Sequence, residues 1–244
     1  MSNHLRLELS KCRIVFFDLE FYVPESNRVN TGLCYNPWDK GSRLLGGSFF
    51  VANPKRDIKC STHTVANNIQ SFWLWNYQSE KDLLSEIYEL LKNTLSLVHK
   101  AHKKKVSPLL CGIGISSSDV PVLIELFKRY KILSNAEAFR FQSNFRVMDL
   151  SQLGIVCFNN GNDFLYPKIK NELLNKFMPG TKFESGKSVW DLYESKDYTG
   201  ITERVNDEII STHHIYKSLL SEYRGFKRLE KEEKRRIKIA EKVG

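Results

Sequence analysis

Apolar and polar positions fall in blocks along this chain, and each block predicts an element. Ile14-Val15-Phe16-Phe17 is short, uninterrupted and rich in β-branched and aromatic residues. That pattern predicts a strand buried on both faces. Leu44 to Ala52 (LLGGSFFVA) predicts a second strand, closed by Asn53-Pro54. Residues 69–77 (IQSFWLWNY) are strongly aromatic and fit either a strand or a packed loop. From Ser79 the period becomes helical: Leu83, Ile87, Leu90, Leu91, Leu95 and Val98 form one stripe behind the capping pair Ser79 and Asp82. Ser107 to Ile115 (SPLLCGIGI) predicts another buried strand. The helix after it has Pro121 in its first turn and Val122, Leu123, Leu126, Phe127 and Tyr130 as its stripe.

The second half continues the alternation. Arg146 to Leu150 fits a short strand or a helix start, and Leu165 to Phe177 and Val189 to Tyr193 read as helical. A last core helix carries Val205, Ile209, His213, Tyr216, Leu220 and Tyr223 at helical spacing. Between the first two strands, Val23 to Ser42 is polar and holds prolines, asparagines and an exposed-looking Trp38, which predicts a loop. Early strands, interleaved helices and the lack of a repeat or strong linker predict one α/β domain over residues 1–223. Residues 224–244 carry nine basic and four acidic residues and few apolar ones. That tail fits a protruding helix, a frayed end or a basic arm.

Composition narrows the function classes. The chain has 244 residues, 41% of them hydrophobic, enough for a sizeable core and against wholesale disorder. Its net charge of +9 favours a polyanionic partner, nucleic acid ahead of a membrane surface. Five scattered cysteines without a Cys-x-x-Cys argue against a disulfide framework or a cysteine-rich zinc site and fit a reducing compartment. No apolar run approaches the ~18 residues that span a bilayer, and the first residues contain no signal-like apolar run. A cytoplasmic protein without a membrane association is the expectation.

The candidate chemistry begins where the first strand meets Asp18-Leu19-Glu20. Period two puts Asp18 and Glu20 on one face, where they repel each other and lose solvation. A hard divalent cation is the usual compensation. The alternative is a strand that has already ended, with two solvated acids in a turn. Asp119 stands where a strand hands over to a helix, the place where ligands collect in open α/β sheets, or it is a plain helix cap. Phe21, Tyr22 and Trp38 could stack a terminal base. Lys103, Lys104 and Lys105 fit a phosphate-contacting patch or a solvated helix end.

In order along the chain, Asp18-x-Glu20, Asp119 and Asp207 resemble the DEDD superfamily of 3′–5′ exonucleases. The nearest likeness is to the predicted 3′–5′ exonucleases related to the proofreading domain of B-family DNA polymerases. Three stretches carry it: GISSSDVPVLIELFKRYKI, MDLSQL and GKSVWDLYESKDYTGITERVNDEIISTHHIYKSLL. The resemblance covers residues 13–223 patchily. It implies a ribonuclease H-like fold, a mixed central sheet flanked by helices, and hydrolysis of single-stranded DNA or RNA from its 3′ end. It also implies two Mg²⁺ or Mn²⁺ ions about 4 Å apart, with Asp18 bridging, Glu20 and Asp207 completing one, and Asp119 holding the other largely through water.

One departure bears on mechanism. The family has a Tyr four residues before its last Asp, and sister families have a His five before; here those positions are Glu203 and Thr202. Glu203 is long enough to orient the attacking water or accept its proton, and His213 and His214 stand next in line. The alternative function is a catalytically impaired ribonuclease H-like domain that binds nucleic acid or a protein, the latter through the basic tail.

Overall fold

The apolar run at Ile14 does not stop at Phe17. It continues as a nine-residue strand, β1 (Ile14–Tyr22), with Asp18 and Glu20 inside it. A computed structural model describes residues 7–29, 33–158 and 164–243, without the side chains at 238 and 240–243. Part of the expected loop (30–32) and the first six residues therefore lie outside the described residues. After β1 come β2 (Arg43–Ala52), α1 (Thr62–Ala66), β3 (Gln70–Trp73), α2 (Glu80–His102), β4 (Leu109–Gly112) and α3 (Asp119–Arg129). Then follow α4 (Asn135–Ser143), β5 (Arg146–Asp149), α5 (Leu150–Leu153), α6 (Lys170–Phe177), α7 (Ser188–Glu194) and α8 (Tyr198–Val243).

The strands form one mixed sheet in the order β3-β2-β1-β4-β5. The β1–β2 and β2–β3 pairs are antiparallel, and β1–β4 and β4–β5 are parallel. Strand periodicity divides β1 between two cores. Val15, Phe17 and Leu19 pack against α2, α3 and α4. Ile14 and Phe16 face the opposite layer, with Leu173 and Leu174 of α6 and Ile209, Ile215 and Leu219 of α8. Asp18 and Glu20 continue this second face, so the α6–α8 layer supplies their neighbours.

Two features shape the end of β1. Strand β4 pairs with it only over Ile14–Phe16. Past that point the Leu19 N–H donates instead to Asp119 Oδ1 at 2.9 Å, which ties the start of α3 to the acid-bearing half of the strand. On the other side the β1–β2 register shifts between Glu20 and Phe21, leaving Leu45 as the extra residue of a bulge. Gly46 beside it has φ +135°, and a Cβ there would lie 2.0 Å from the Phe72 carbonyl oxygen.

Several boundaries differ from the sequence expectations. The strand expected over Ser107–Ile115 is only Leu109–Gly112, because the chain turns into the segment that delivers Asp119. The helix expected from Leu165 begins at Lys170. Pro167 disfavours helical geometry at Tyr166, and the Lys168 N–H bonds to the Ser151 carbonyl at 2.9 Å instead. Residues 69–77 divide into β3 and a 3-10 turn, Leu74–Asn76. The basic tail is the second half of α8, one helix of 46 residues. Among the described residues no helix is long and apolar enough to cross a membrane.

Candidate active site

Asp18 and Glu20 meet a third carboxylate, and it comes from α8. One carboxylate oxygen from each of Asp18, Glu20 and Glu208 lies within 4.8 Å of the others. Glu208 is 2% exposed and sits in a buried stripe of α8 that runs Ile201, Val205, Glu208, Thr212, Ile215, Leu219. That stripe advances by alternate steps of four and three, the spacing of a helix face laid against a core. Asp119 borders the trio, fully buried, accepting from the Leu19 N–H and from the Ser118 hydroxyl.

This corrects the expected fourth acid. Asp207 is exposed, about 100° around the helix from Glu208. Glu203 is exposed as well and shares the outward face with Asp207, so it does not approach the carboxylates. Four residues before Glu208 stands Arg204, and it points inward. His213 is also removed from the water-orienting role. It is buried in the core, edge-on to Phe16 and Phe50, with Nε2 3.2 Å from the Asp57 carbonyl oxygen. His214 is exposed.

Two cations enter the cluster. Lys170, the first residue of α6, places Nζ against Glu208 Oε2 and 3.9 Å from Asp18 Oδ1. Arg204 reaches Glu208 Oε1 at 3.1 Å and is itself held by the Ser188 hydroxyl at 2.9 Å. The remaining imbalance shows in the protonation equilibria. Burial pushes the Asp18 carboxyl well above the usual range; Glu208, Asp119 and Glu20 add to the rise, and Lys170 opposes it. Burial, reinforced by Glu208, raises Glu20 to about 8 against the pull of Arg204 and Lys170. Asp119 is raised by burial, while bonds from Ser118 and the Leu19 N–H work the other way. Burial also acts to raise Glu208, but Lys170 and Arg204 outweigh it and hold the carboxyl lowered. Lys170 loses solvation yet is raised, because Asp18 and Glu208 overcome that loss.

Asp18, Glu20, Asp119, Lys170 and Arg204 line a cavity of about 560 Å³, and Glu208 stands behind them, ion-paired with Lys170 and Arg204. Phe21 lines the same cavity, stacked on Tyr35 with ring centroids 4.4 Å apart. Tyr22 turns away toward α7, where its hydroxyl donates to Glu194 at 3.1 Å. Trp38 is 60% exposed and is not part of the cavity wall. Lys103, Lys104 and Lys105 are exposed and precede β4, whereas Asp119 follows it, so that lysine run stands at the opposite end of the strand from the carboxylates.

Asp149 accounts for how Asp119 is delivered. From the end of β5 its carboxylate accepts from the Gly114 N–H at 2.8 Å, the Ser116 N–H at 3.0 Å and the Ser116 hydroxyl at 2.6 Å. It also caps α5 through the Ser151 N–H at 3.0 Å. The turn from β4 into α3 is thereby fixed from beneath.

No family model matches this chain, and no curated protein matches it significantly. The residues that sequence reasoning missed are Glu208, Lys170 and Arg204. For Glu208 a signal existed: an acid in a mostly apolar stripe from Ile201 to Leu219. Arg204 was legible only as its i, i+4 partner. Nothing in the polar segment around Lys170 marks it, because its partners lie on β1 and α8.

Proposed function

We propose that this chain is a metal-dependent 3′–5′ exonuclease of the ribonuclease H-like class, acting on single-stranded DNA or RNA. The observation that carries the reading is the buried trio Asp18, Glu20 and Glu208 beside Asp119, at the end of the central strand. Strand order and the antiparallel β1–β2–β3 half agree with a ribonuclease H-like sheet. Four carboxyl groups face two cations, and Asp18 and Glu20 carry raised pKa values. A divalent cation fits that surplus of negative charge.

Asp18, Glu20 and Glu208 would hold the Mg²⁺ or Mn²⁺, with Asp119 on the flank for a second ion. Such ions lower the pKa of bound water and stabilise the leaving oxygen. The chain's own residues do the rest. Arg204 and Lys170 orient Glu208 and offer positive charge to a phosphate. Phe21, backed by Tyr35, offers a face for the terminal base. Asp149 keeps Asp119 in place through its turn.

A second reading, a domain that binds without cutting, draws on one observation: Lys170 and Arg204 are already ion-paired with Glu208. The two readings separate in a single assay. End-labelled single-stranded DNA and RNA are incubated with Mg²⁺, Mn²⁺ or EDTA. Stepwise loss of nucleotides from the 3′ end, abolished by EDTA, is the expected result. Glu208→Gln is expected to lose at least a hundredfold in rate, while Asp207→Asn and Glu203→Gln stay within a few-fold of wild type. Binding without cleavage under every metal condition would favour the second reading. Loss of activity in Asp207→Asn but not in Glu208→Gln would overturn the site assignment.

A further inference from the structure

A second cavity, of about 310 Å³, is lined by Tyr193, one turn further along α7 from Trp190 of the carboxylate cavity. Its wall is aromatic: Trp75, Tyr77, Tyr193 and Tyr198, with Arg43 and Glu80 at the polar side. The rings are ordered. Trp73, Trp75 and Tyr198 form a continuous stack, with centroids 5.1 and 4.4 Å apart and planes within 4° and 11° of parallel. Trp75 is thus covered on both faces, and the stack ends at Tyr198, beside the tilted ring of Tyr193. Glu80 is spoken for, since it accepts from the Leu44 N–H and the Tyr130 hydroxyl. Arg43 is exposed and forms no ion pair among the described residues. A parallel stack whose last ring, Tyr198, lines a cavity together with Tyr193, and whose rim carries the unpaired Arg43 guanidinium, suits a planar base carrying a phosphate.

Its position gives it a role. Trp190 lines the carboxylate cavity and Tyr193 lines this one, three residues apart on α7. Likewise Phe21 lines the first, while Arg43, register partner of the adjacent Tyr22, lines the second. About one helical turn of α7 separates the two, a span that a few nucleotides of extended strand can cross.

We propose that the Arg43–Tyr77–Tyr193–Tyr198 cavity is a stacking subsite for single-stranded nucleic acid, taking a base a few nucleotides 5′ of the end held at the carboxylates. The subsite rests on the exonuclease reading for this polarity. It commits to nucleic acid rather than a proline-rich peptide, which also favours aromatic grooves, because the guanidinium is free, the chain is strongly basic and a phosphate-directed cavity adjoins.

The test measures binding of 5′-fluorescein oligothymidylates of two and six nucleotides by anisotropy in EDTA, where cleavage is not needed. Wild type is expected to bind the hexamer at least tenfold more tightly than the dimer. Tyr193→Ala and Tyr198→Ala should remove most of that gain, and Tyr198→Phe should keep it, since a stacked ring contributes about five- to a hundredfold in affinity. Arg43→Ala should reduce the slope of log affinity against log salt by about 0.7. If Tyr198→Ala does not fold, Tyr193→Ala and Arg43→Ala carry the test. Equal hexamer affinity in wild type, Tyr193→Ala and Arg43→Ala overturns the subsite, as does displacement of the hexamer by a proline-rich peptide. Length-dependent binding that needs these residues, without cleavage under any metal, sinks the exonuclease reading alone. Cleavage that is indifferent to them sinks the subsite alone.

Discussion

At the scale of single residues, the energetics centre on carboxylates that are buried before any cation is bound. Glu20 illustrates the linkage. Its folded-state pKa, about 8, lies above the 4.5 of a free glutamate. The folded protein therefore holds a proton that the unfolded chain releases as pH rises from 4.5 toward 8. In that window the native state binds more protons, so stability falls as pH rises. The metal-free protein is expected to lose stability over this range relative to Glu20→Gln, on the order of a few kcal/mol, seen as a falling melting temperature. Mg²⁺ or Mn²⁺ should flatten the difference, because a cation favours the ionised form. Thermal melts of both proteins between pH 5 and 8, with EDTA and with Mn²⁺, check this. Parallel curves in EDTA would mean that Glu20 is not desolvated as the fold implies.

At the scale of elements, the acid-bearing end of β1 depends on its partners more than on its own sequence. Asp18 and Glu20 point at α8 because β1 alternates, and Glu208 meets them because α8 lays one stripe against that face. The bulge at Leu45–Gly46 lets β2 follow this stretch. Gly46→Ala is expected to destabilise the protein by roughly 2–4 kcal/mol, since a Cβ would strike the Phe72 carbonyl and the Trp73 ring at an unfavourable φ. Urea denaturation gives the number. A cost below about 0.5 kcal/mol would show that β3 can draw back freely.

The same dependence explains which elements were legible. A strand from Ile14, a strand from Leu44 and the helix after Ser79 followed from local pattern, two uninterrupted apolar runs rich in β-branched and aromatic residues and one helical stripe behind a cap. The helix expected from Leu165 failed over its first five residues. There the exposed Phe164, Leu165, Tyr166 and Ile169 imitate a stripe, although Pro167 prevents the helix from starting. The stripe read along α8 through Ile209 and His213 is buried, but its later members lean outward: Tyr223 is 56% exposed. Asp207 lies off that stripe and was expected only from the resemblance, whereas its buried neighbour Glu208 faces the sheet.

At the scale of the whole molecule, charge is unevenly distributed. Nine basic and four acidic residues fall in the tail, and the chain as a whole carries +9. Beyond Leu220 the described side chains of α8 join none of the buried clusters, and the tail's ion pairs, such as Glu230 with Lys227 and Lys234, are internal to it. Deleting 224–244 is therefore expected to leave the melting temperature within a few degrees of wild type. It should weaken binding of a single-stranded 30-mer and reduce the salt slope by several units, through fewer released counterions. Titrations at several salt concentrations measure it. An unchanged slope would assign the tail to a protein partner instead.

By itself, the sequence determined the α/β alternation, the strand that carries Asp18 and Glu20, the position of Asp119 at the head of a helix and the basic tail. These are local properties: a period, a stop signal, a local charge density. Tertiary structure alone decided that Glu208 rather than Asp207 completes the trio, that Lys170 and Arg204 enter it, and that Glu203 and His213 stand apart. The reason is geometric. Adjacent helix positions differ by 100° in direction, so a choice between two neighbouring acids is settled by how α8 rotates against the sheet. That rotation is fixed by the packing of Ile201, Val205, Ile215 and Leu219 against residues distant in the chain.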